Sequence, residues 1–138
     1  MKKANKIPKT TKVKLSGFYR DKRGIILNLR NGLFGSCALI KSKKNSVRAN
    51  HYHKKDWHFI YVIKGEFEYY FRKTNVNENT KKKIVTQGQL LFTGPMIDHA
   101  MLYTKETEIL VVSKNPRDQK TYEEDTVRIK FMDHSNRF

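Results

Sequence analysis

The chain has one cysteine, three prolines and seven glycines in 138 residues. The lone Cys37 excludes an intrachain disulfide and any cysteine-rich zinc module. It fits a reducing compartment, so a cytoplasmic location is expected. No run of 18 or more apolar residues is present, so no membrane span is expected. The basic N-terminus lacks a following apolar stretch, which argues against a secretory signal. Acidic residues are also scarce, at 13 against 29 Lys and Arg, for a formal charge of +16. Removing the six lysines of residues 1–14, a stretch without acid, still leaves +10. Such a balance suits either a solvated lysine-rich surface or an anionic partner. There is no helix-turn-helix, RNA-recognition or zinc-finger signature, so no nucleic-acid partner is expected. A small anionic substrate is the partner class that remains.

Length and composition fit one domain with a real core. Residues 1–14 read as a basic, disordered arm without periodicity, 15–133 as the folded unit, and 134–138 as a tail. The folded part reads as short strands joined by polar turns. Gly24 to Arg30 and Leu33 to Lys41 flank Asn31-Gly32, a strong hairpin signal. Strands follow at Val47–His53, Asp56–Lys64 and Glu66–Lys73, the last with alternating Phe67, Tyr69 and Phe71. Thr74 to Lys83 reads as an exposed loop, with Lys81-Lys82-Lys83 solvated. Further strands are expected at 84–86, 89–93, 99–104, 108–113 and 126–131, with a turn of helix within 115–125. Many short strands at near-regular spacing predict an all-β sandwich or barrel.

The histidines carry the chemistry. His51 and His53 stand at i and i+2 on one strand, so both imidazoles point to one face. His58 alternates with Ile60 and Val62 and is expected inside with them. His99 follows Gly88 by eleven positions on a later strand. Imidazole ligands suit a divalent first-row ion (Fe, Ni, Zn, Co or Mn), and His51, His53, His58 and His99 are the candidate metal ligands. Metal-free acid–base work by His51 and His53 is the open alternative. Arg48, three residues before His51, suits a phosphate or carboxylate. Tyr61 and Tyr69 are candidates for the barrel mouth, where small ligands sit. Asp98, beside His99, is expected on the opposite face. His134 lies in the polar tail.

These spacings resemble the cupin family. Its first motif, G-x5-H-x-H-x4-E-x6-G, aligns with Asn45, His51, His53, His58 and Gly65. Its second, G-x5-P-x-G-x2-H-x3-N, aligns with Gly88, Gly94, Met96, His99 and Tyr103. Asn45 and Met96 stand where the family has glycine, and His58 stands where it has glutamate. The stretch Arg48-Ala49-Asn50-His51-Tyr52-His53-Lys54 is similar to the R-G-x-H-A-H-K region of the sugar-nucleotide 3,4-ketoisomerase branch. Pro95 to Met101 and Tyr122 to Arg128 resemble two later segments of that branch. The resemblance implies a single-domain double-stranded β-helix, or jelly roll, and a homodimer. It also implies an enzyme that moves a carbonyl along a nucleotide-linked hexose, with the histidine pair handling protons and no metal required.

Three functions remain open at this point. The first is isomerisation or epimerisation of an anionic sugar, such as a sugar nucleotide, at the histidine-rich site. The second is Fe(II)-dependent dioxygenase or other metal-cupin chemistry on a small organic acid. The third is metabolite binding without turnover.

Overall fold

A computed structural model describes residues 7–131, so His134 and the expected tail lie outside the described residues. Twelve strands and one short helix occur among them. They are β1 (Lys12–Val13), β2 (Ser16–Asp21), β3 (Gly24–Asn28), β4 (Ser36–Ser42), β5 (Val47–His53) and β6 (His58–Lys64). There follow β7 (Glu66–Lys73), β8 (Lys81–Thr86), β9 (Leu90–Thr93), β10 (Ile97–Tyr103), β11 (Thr107–Ser113), α1 (Gln119–Asp125) and β12 (Thr126–Arg128). Two five-stranded antiparallel sheets run in the orders β1-β9-β6-β11-β4 and β12-β5-β10-β7-β8, and β2 pairs with β3 as a separate ribbon. The all-β jelly roll is therefore present. No helix among the described residues is long and apolar enough to cross a membrane.

Alternation decides which residues face inward. Ile60 and Val62 on β6, Phe67 and Tyr69 on β7, and Ile109 and Val111 on β11 join Leu91, Met101 and Tyr103 in the main core. Burying each such side chain contributes roughly 1.5–3 kcal/mol. The β6–β7 turn needs Gly65, because its φ is 100° and a Cβ there would lie 2.5 Å from the Glu106 carbonyl oxygen. Strands β5 and β7 have the bounds their alternation predicts.

Three expectations change. Asn31-Gly32 does not join a hairpin: β3 pairs with β2, and β4 pairs with β11. The start of β4 is fixed across the sheet, where Gly35 N–H donates to the Ser113 carbonyl at 2.8 Å. Lys81-Lys82-Lys83 form a strand rather than a loop, paired with Phe71, Tyr70 and Tyr69. Strand β8 is a sheet edge, and lysines there discourage pairing with another chain. Finally, the arm is not loose along its whole length. Lys12 and Val13 pair with Leu91 and Leu90, and Val13 packs with Leu15 against a second apolar cluster containing Trp57 and Phe92. Deleting residues 1–14 is thus expected to lower the melting temperature by about 5 °C or more, since a half-buried valine and a strand are lost. An unchanged melting curve would show that β1 contributes nothing.

The two substituted glycine positions of the cupin motifs keep glycine-like backbones here. Asn45 has φ 71° and Met96 has φ 56°. Asparagine tolerates that region, whereas methionine does so at a cost of about 1 kcal/mol. Met96 is 40% exposed, so little packing would be lost with its side chain. Met96→Gly is expected to stabilise the protein by up to about 0.5 kcal/mol in urea titrations, after the entropic cost of glycine.

Candidate active site

The ends of three strands bring the four histidines together. His51 and His53 come from β5, His58 from the start of β6 and His99 from β10, and all four are buried. Ring centroids of His51 lie 4.6 Å from His53 and 4.8 Å from His99, and those of His53 and His58 are 4.7 Å apart. The strand pairing sets this up, because His99 registers directly against His51.

The hydrogen bonds fix the tautomers. Thr126 donates its hydroxyl to the Tyr122 carbonyl at 2.6 Å, so its oxygen must accept from His53 Nδ1–H at 3.3 Å. A carboxylate oxygen of Asp125 lies 3.4 Å from the same nitrogen. His53 Nε2 therefore carries a lone pair, and it accepts from His58 Nε2–H at 3.0 Å. His58 Nδ1 must then accept the Ser113 hydroxyl at 2.5 Å. His99 Nδ1–H donates to the Ile97 carbonyl at 2.9 Å, which leaves its Nε2 lone pair free of a proton. The result is a chain of proton-carrying groups running from Ser113 through His58 and His53 to Asp125.

Burial keeps these rings neutral. It pushes His99 down to about 4 and His51 down to about 2, with the neighbouring His99 and His53 adding to the effect at His51. His58 is also held far below its usual value by burial. His53 is lowered by burial, but the Asp125 carboxylate pulls it back up. Asp125 makes His53 the imidazole best placed to hold a proton.

The carboxylates themselves are tied to backbone. Asp125 accepts N–H groups from Lys55 at 2.8 Å and Asp56 at 3.1 Å. Asp56 accepts from Trp57 at 2.9 Å and Asn115 at 3.0 Å. These bonds join the β5–β6 loop to Asn115, ahead of α1, and to Asp125, the last residue of that helix. That helix is capped by Asp118, whose side chain accepts the Thr121 N–H at 2.9 Å.

A cavity of about 150 Å³ opens onto His51, His58 and His99, and Arg48, Arg117 and Tyr122 also line it. It is smaller than the roughly 300 Å³ at which drug-sized pockets begin, so it admits only the reacting end of a larger substrate. Arg117 stacks over the Tyr122 ring at 5.3 Å. Arg48 reaches the cavity because β5 is irregular. Ala49 and Asn50 both have positive φ, and the β5–β10 register shifts there. The bulge turns Arg48 to the side of His51 despite their odd spacing. Its guanidinium donates to Ser42 Oγ at 2.7 Å and to the Lys41 carbonyl at 3.2 Å.

Tyr69 is fully buried beside the site, 6.0 Å from His99 between ring centroids, with its hydroxyl bonded to Thr93. Tyr61 is not at the site. It lies on the opposite face of β6 from His58 and packs with Trp57 and Phe59, as strand alternation requires. Asp98 also faces away from His99, bonded to Arg72 at 3.0 Å and Thr74 at 2.7 Å. Sequence reasoning missed Asp56, Ser113, Arg117, Asp125 and Thr126. Only Asp125 and Thr126 lay within a quoted motif segment, without a role.

The donor atoms fit a metal in part. They fall into two overlapping groups, His51–His53–His99 and His53–Asp56–His58, each with donors within 4.8 Å of one another. The first offers three imidazoles, a set used by first-row ions. Engaging His53 Nε2 would require His58 to move its proton to Nδ1, where Ser113 could accept it.

A jelly roll with two histidines on one strand, a third on the next strand and a fourth facing them is a cupin-type barrel. The chain belongs to the polysaccharide biosynthesis C-terminal domain family, whose model matches residues 19–127. The structure is similar to the sugar 3,4-ketoisomerase QdtA from Thermoanaerobacterium thermosaccharolyticum in complex with TDP. That likeness has a TM-score of 0.67 and 19% identity, over 87% of this chain and 86% of that one. It is also similar to dTDP-4-dehydrorhamnose 3,5-epimerase from Sulfolobus tokodaii, with a TM-score of 0.66 and 16% identity over 83% and 73% of the two chains. A third likeness is to the capsular polysaccharide assembling protein CapF from Staphylococcus aureus. Its TM-score is 0.63 at 17% identity, over 86% of this chain and 33% of that one. At these identities the likenesses show a common fold. No curated protein matches the chain.

Proposed function

We propose that the chain is an isomerase or epimerase of nucleotide-linked keto-sugars. The observation that carries this reading is the His53–Asp125 pair, which lies behind the neutral imidazoles of a cavity lined by His51, His58, His99, Arg48 and Arg117. A carbon acid next to a carbonyl loses its proton to a positioned base, and the electron pair moves onto the carbonyl oxygen. His53 serves as the base once His58 moves its proton from Nε2 to Nδ1, toward Ser113, and frees the His53 Nε2 lone pair; Asp125 stabilises the imidazolium that results. The Tyr122 phenol and the N–H of His51 are the nearby donors that can meet the developing oxyanion. Return of the proton to the other carbon shifts the carbonyl; return to the other face of the same carbon inverts it. Arg48 and Arg117 can make charge-assisted hydrogen bonds to a diphosphate that a free sugar cannot offer. Similarity to a ketoisomerase in complex with TDP and to a dTDP-sugar epimerase supports the same substrate class.

The direct test is incubation with thymidine-, uridine- and guanosine-diphosphate 4-keto-sugars in heavy water, followed by NMR. Deuterium should enter beside the carbonyl. If the folded protein exchanges none of them, the reading falls.

A second reading is favoured by the low proton affinity of His51 and His99, whose lone pairs suit a cation other than a proton. His51, His53 and His99 would hold one divalent first-row ion. Such an ion would polarise a bound carbonyl or carboxylate. Elemental analysis of the untagged protein after exposure to Fe, Ni, Co, Mn and Zn decides this. About one ion per chain, lost on His51→Ala, supports the metal; none in any preparation removes it.

A further inference from the structure

A second cavity lies behind Tyr69, under residues 7–11 of the arm. It holds about 320 Å³, against about 150 Å³ for the histidine cavity, and the two share no lining residue. Tyr69 and Thr93, joined through their hydroxyls, form the wall between them: Tyr69 stands beside His99, and Thr93 registers against His58. Strand register builds the inner surface. Lys81 on β8 and His99 on β10 flank Phe71 directly, and Lys73, two residues on, registers against Ile97. Period two puts Phe71, Lys73, Lys81 and Ile97 on one face, so two ammonium groups and an aromatic ring point the same way. The arm closes another side. Phe92 N–H donates to the Thr11 carbonyl at 2.8 Å and Lys12 pairs with Leu91, which fixes the arm where Ile7 and Lys9 reach the cavity. Gly94 leaves Phe92 room, since a Cβ there would lie 3.3 Å from the Phe92 ring.

We infer that this cavity is a second small-molecule site, and that it takes a flat aromatic ring bearing a carboxylate or phosphate. Charge selects the anion. Lys9, Lys73 and Lys81 line the cavity against one acid, Glu78, and that carboxylate already accepts the Lys73 N–H at 2.6 Å. A sheet edge accounts for Lys81 by itself. It does not account for Lys73 or Lys9, which lie on an inner strand and on the arm. Phe71 selects the ring. It stacks on Tyr69 with centroids 5.0 Å apart and planes at 25°, and it stays half-buried. A planar ligand continues that offset stack, and Phe92 and Ile97 supply apolar walls. Apolar walls with a few convergent charges are the usual make-up of a ligand pocket, and 320 Å³ lies within the size range of such pockets.

NMR titration of the full chain with phenyl phosphate, benzoate and neutral benzyl alcohol tests it. At least one of the two anions should bind saturably, at about 1 mM or tighter, with contacts from its ring protons to Phe71 and Phe92 and shifts at Ile97 and Thr11. Preference for phenyl phosphate assigns a phosphorylated ligand, and preference for benzoate a carboxylic acid. Benzyl alcohol should bind at least about tenfold more weakly. Lys81→Glu should weaken the anion about tenfold, and Lys9→Glu should do the same from the arm if the edge-strand variant misfolds. Both lysines are exposed. Arg48→Gln alters the histidine cavity and should leave these contacts unchanged. No shift at Ile97 with either anion overturns the inference, as does equal binding of benzyl alcohol or contacts that appear at Arg48 and His51 instead.

Discussion

His53→Asn is expected to lower deuterium exchange into a nucleotide-linked keto-sugar by about a hundredfold to ten-thousandfold, the usual worth of a positioned acid–base group. The loss should sit in kcat, because His53 acts on the proton and not on the phosphates. Asp125→Asn should cost less at its optimum but should also move the acid limb of the profile. The carboxylate both accepts from His53 Nδ1 and raises the proton affinity of that ring. An amide can still accept but brings no charge. Arg48→Gln should raise KM for the nucleotide sugar and leave kcat nearly unchanged. Melting curves of each variant separate these effects from unfolding, since Asp125 also accepts two backbone N–H groups. Full exchange activity in His53→Asn would remove it as the base and shift attention to His51.

The second large effect is acid destabilisation. His51, His53, His58 and His99 all have proton affinities lowered by burial. Below about pH 6.5 the unfolded chain takes up protons that the folded site refuses. The unfolded state then binds more protons, so stability falls as pH falls. For His99 the loss begins near its unfolded value and ends near its folded value of about 4. It amounts to about 3 kcal/mol for that ring alone. Asp56 works in the opposite direction, because burial raises its carboxyl and the fold accepts that proton early. It offsets part of the histidine loss. Urea titrations from about pH 7.5 to about pH 4.5 should show the midpoint dropping steadily, and His99→Gln should flatten the slope. A midpoint that stays level over this range would mean that the rings are not buried neutral.

Much of this was legible in the chain, for reasons that differ by residue. The period-two rule placed His51, His53 and His58 correctly, and motif spacing added His99. The same rule puts Tyr61 outside once His58 is inside. Tyr61 accordingly packs on the outer face with Trp57 and Phe59, whereas Tyr69 lies beside His99. Arg48 reaches the site through a bulge, and positive φ at a non-glycine such as Ala49 has no composition signal. Asp56, Asp125 and Arg117 act through loop closure between segments distant in sequence, which local patterning does not encode. Lys81 to Lys83 look like a loop because lysine is depleted in strands. They form one because an edge strand needs charge on its open side.

The position of α1 also has a consequence for how the chain acquires its chemistry. The barrel strands contribute imidazoles from β5, β6 and β10, whereas Tyr122 and Asp125 come from the helix that follows the last long strand. Synthesis proceeds from the N-terminus, and the earlier strands can begin to pair before the later segments emerge. A nascent barrel would thus hold its histidines without the carboxylate that lets one of them keep a proton. Reactivity would arrive only with the final turn of helix, which also brings the Asp125 bonds that close the β5–β6 loop.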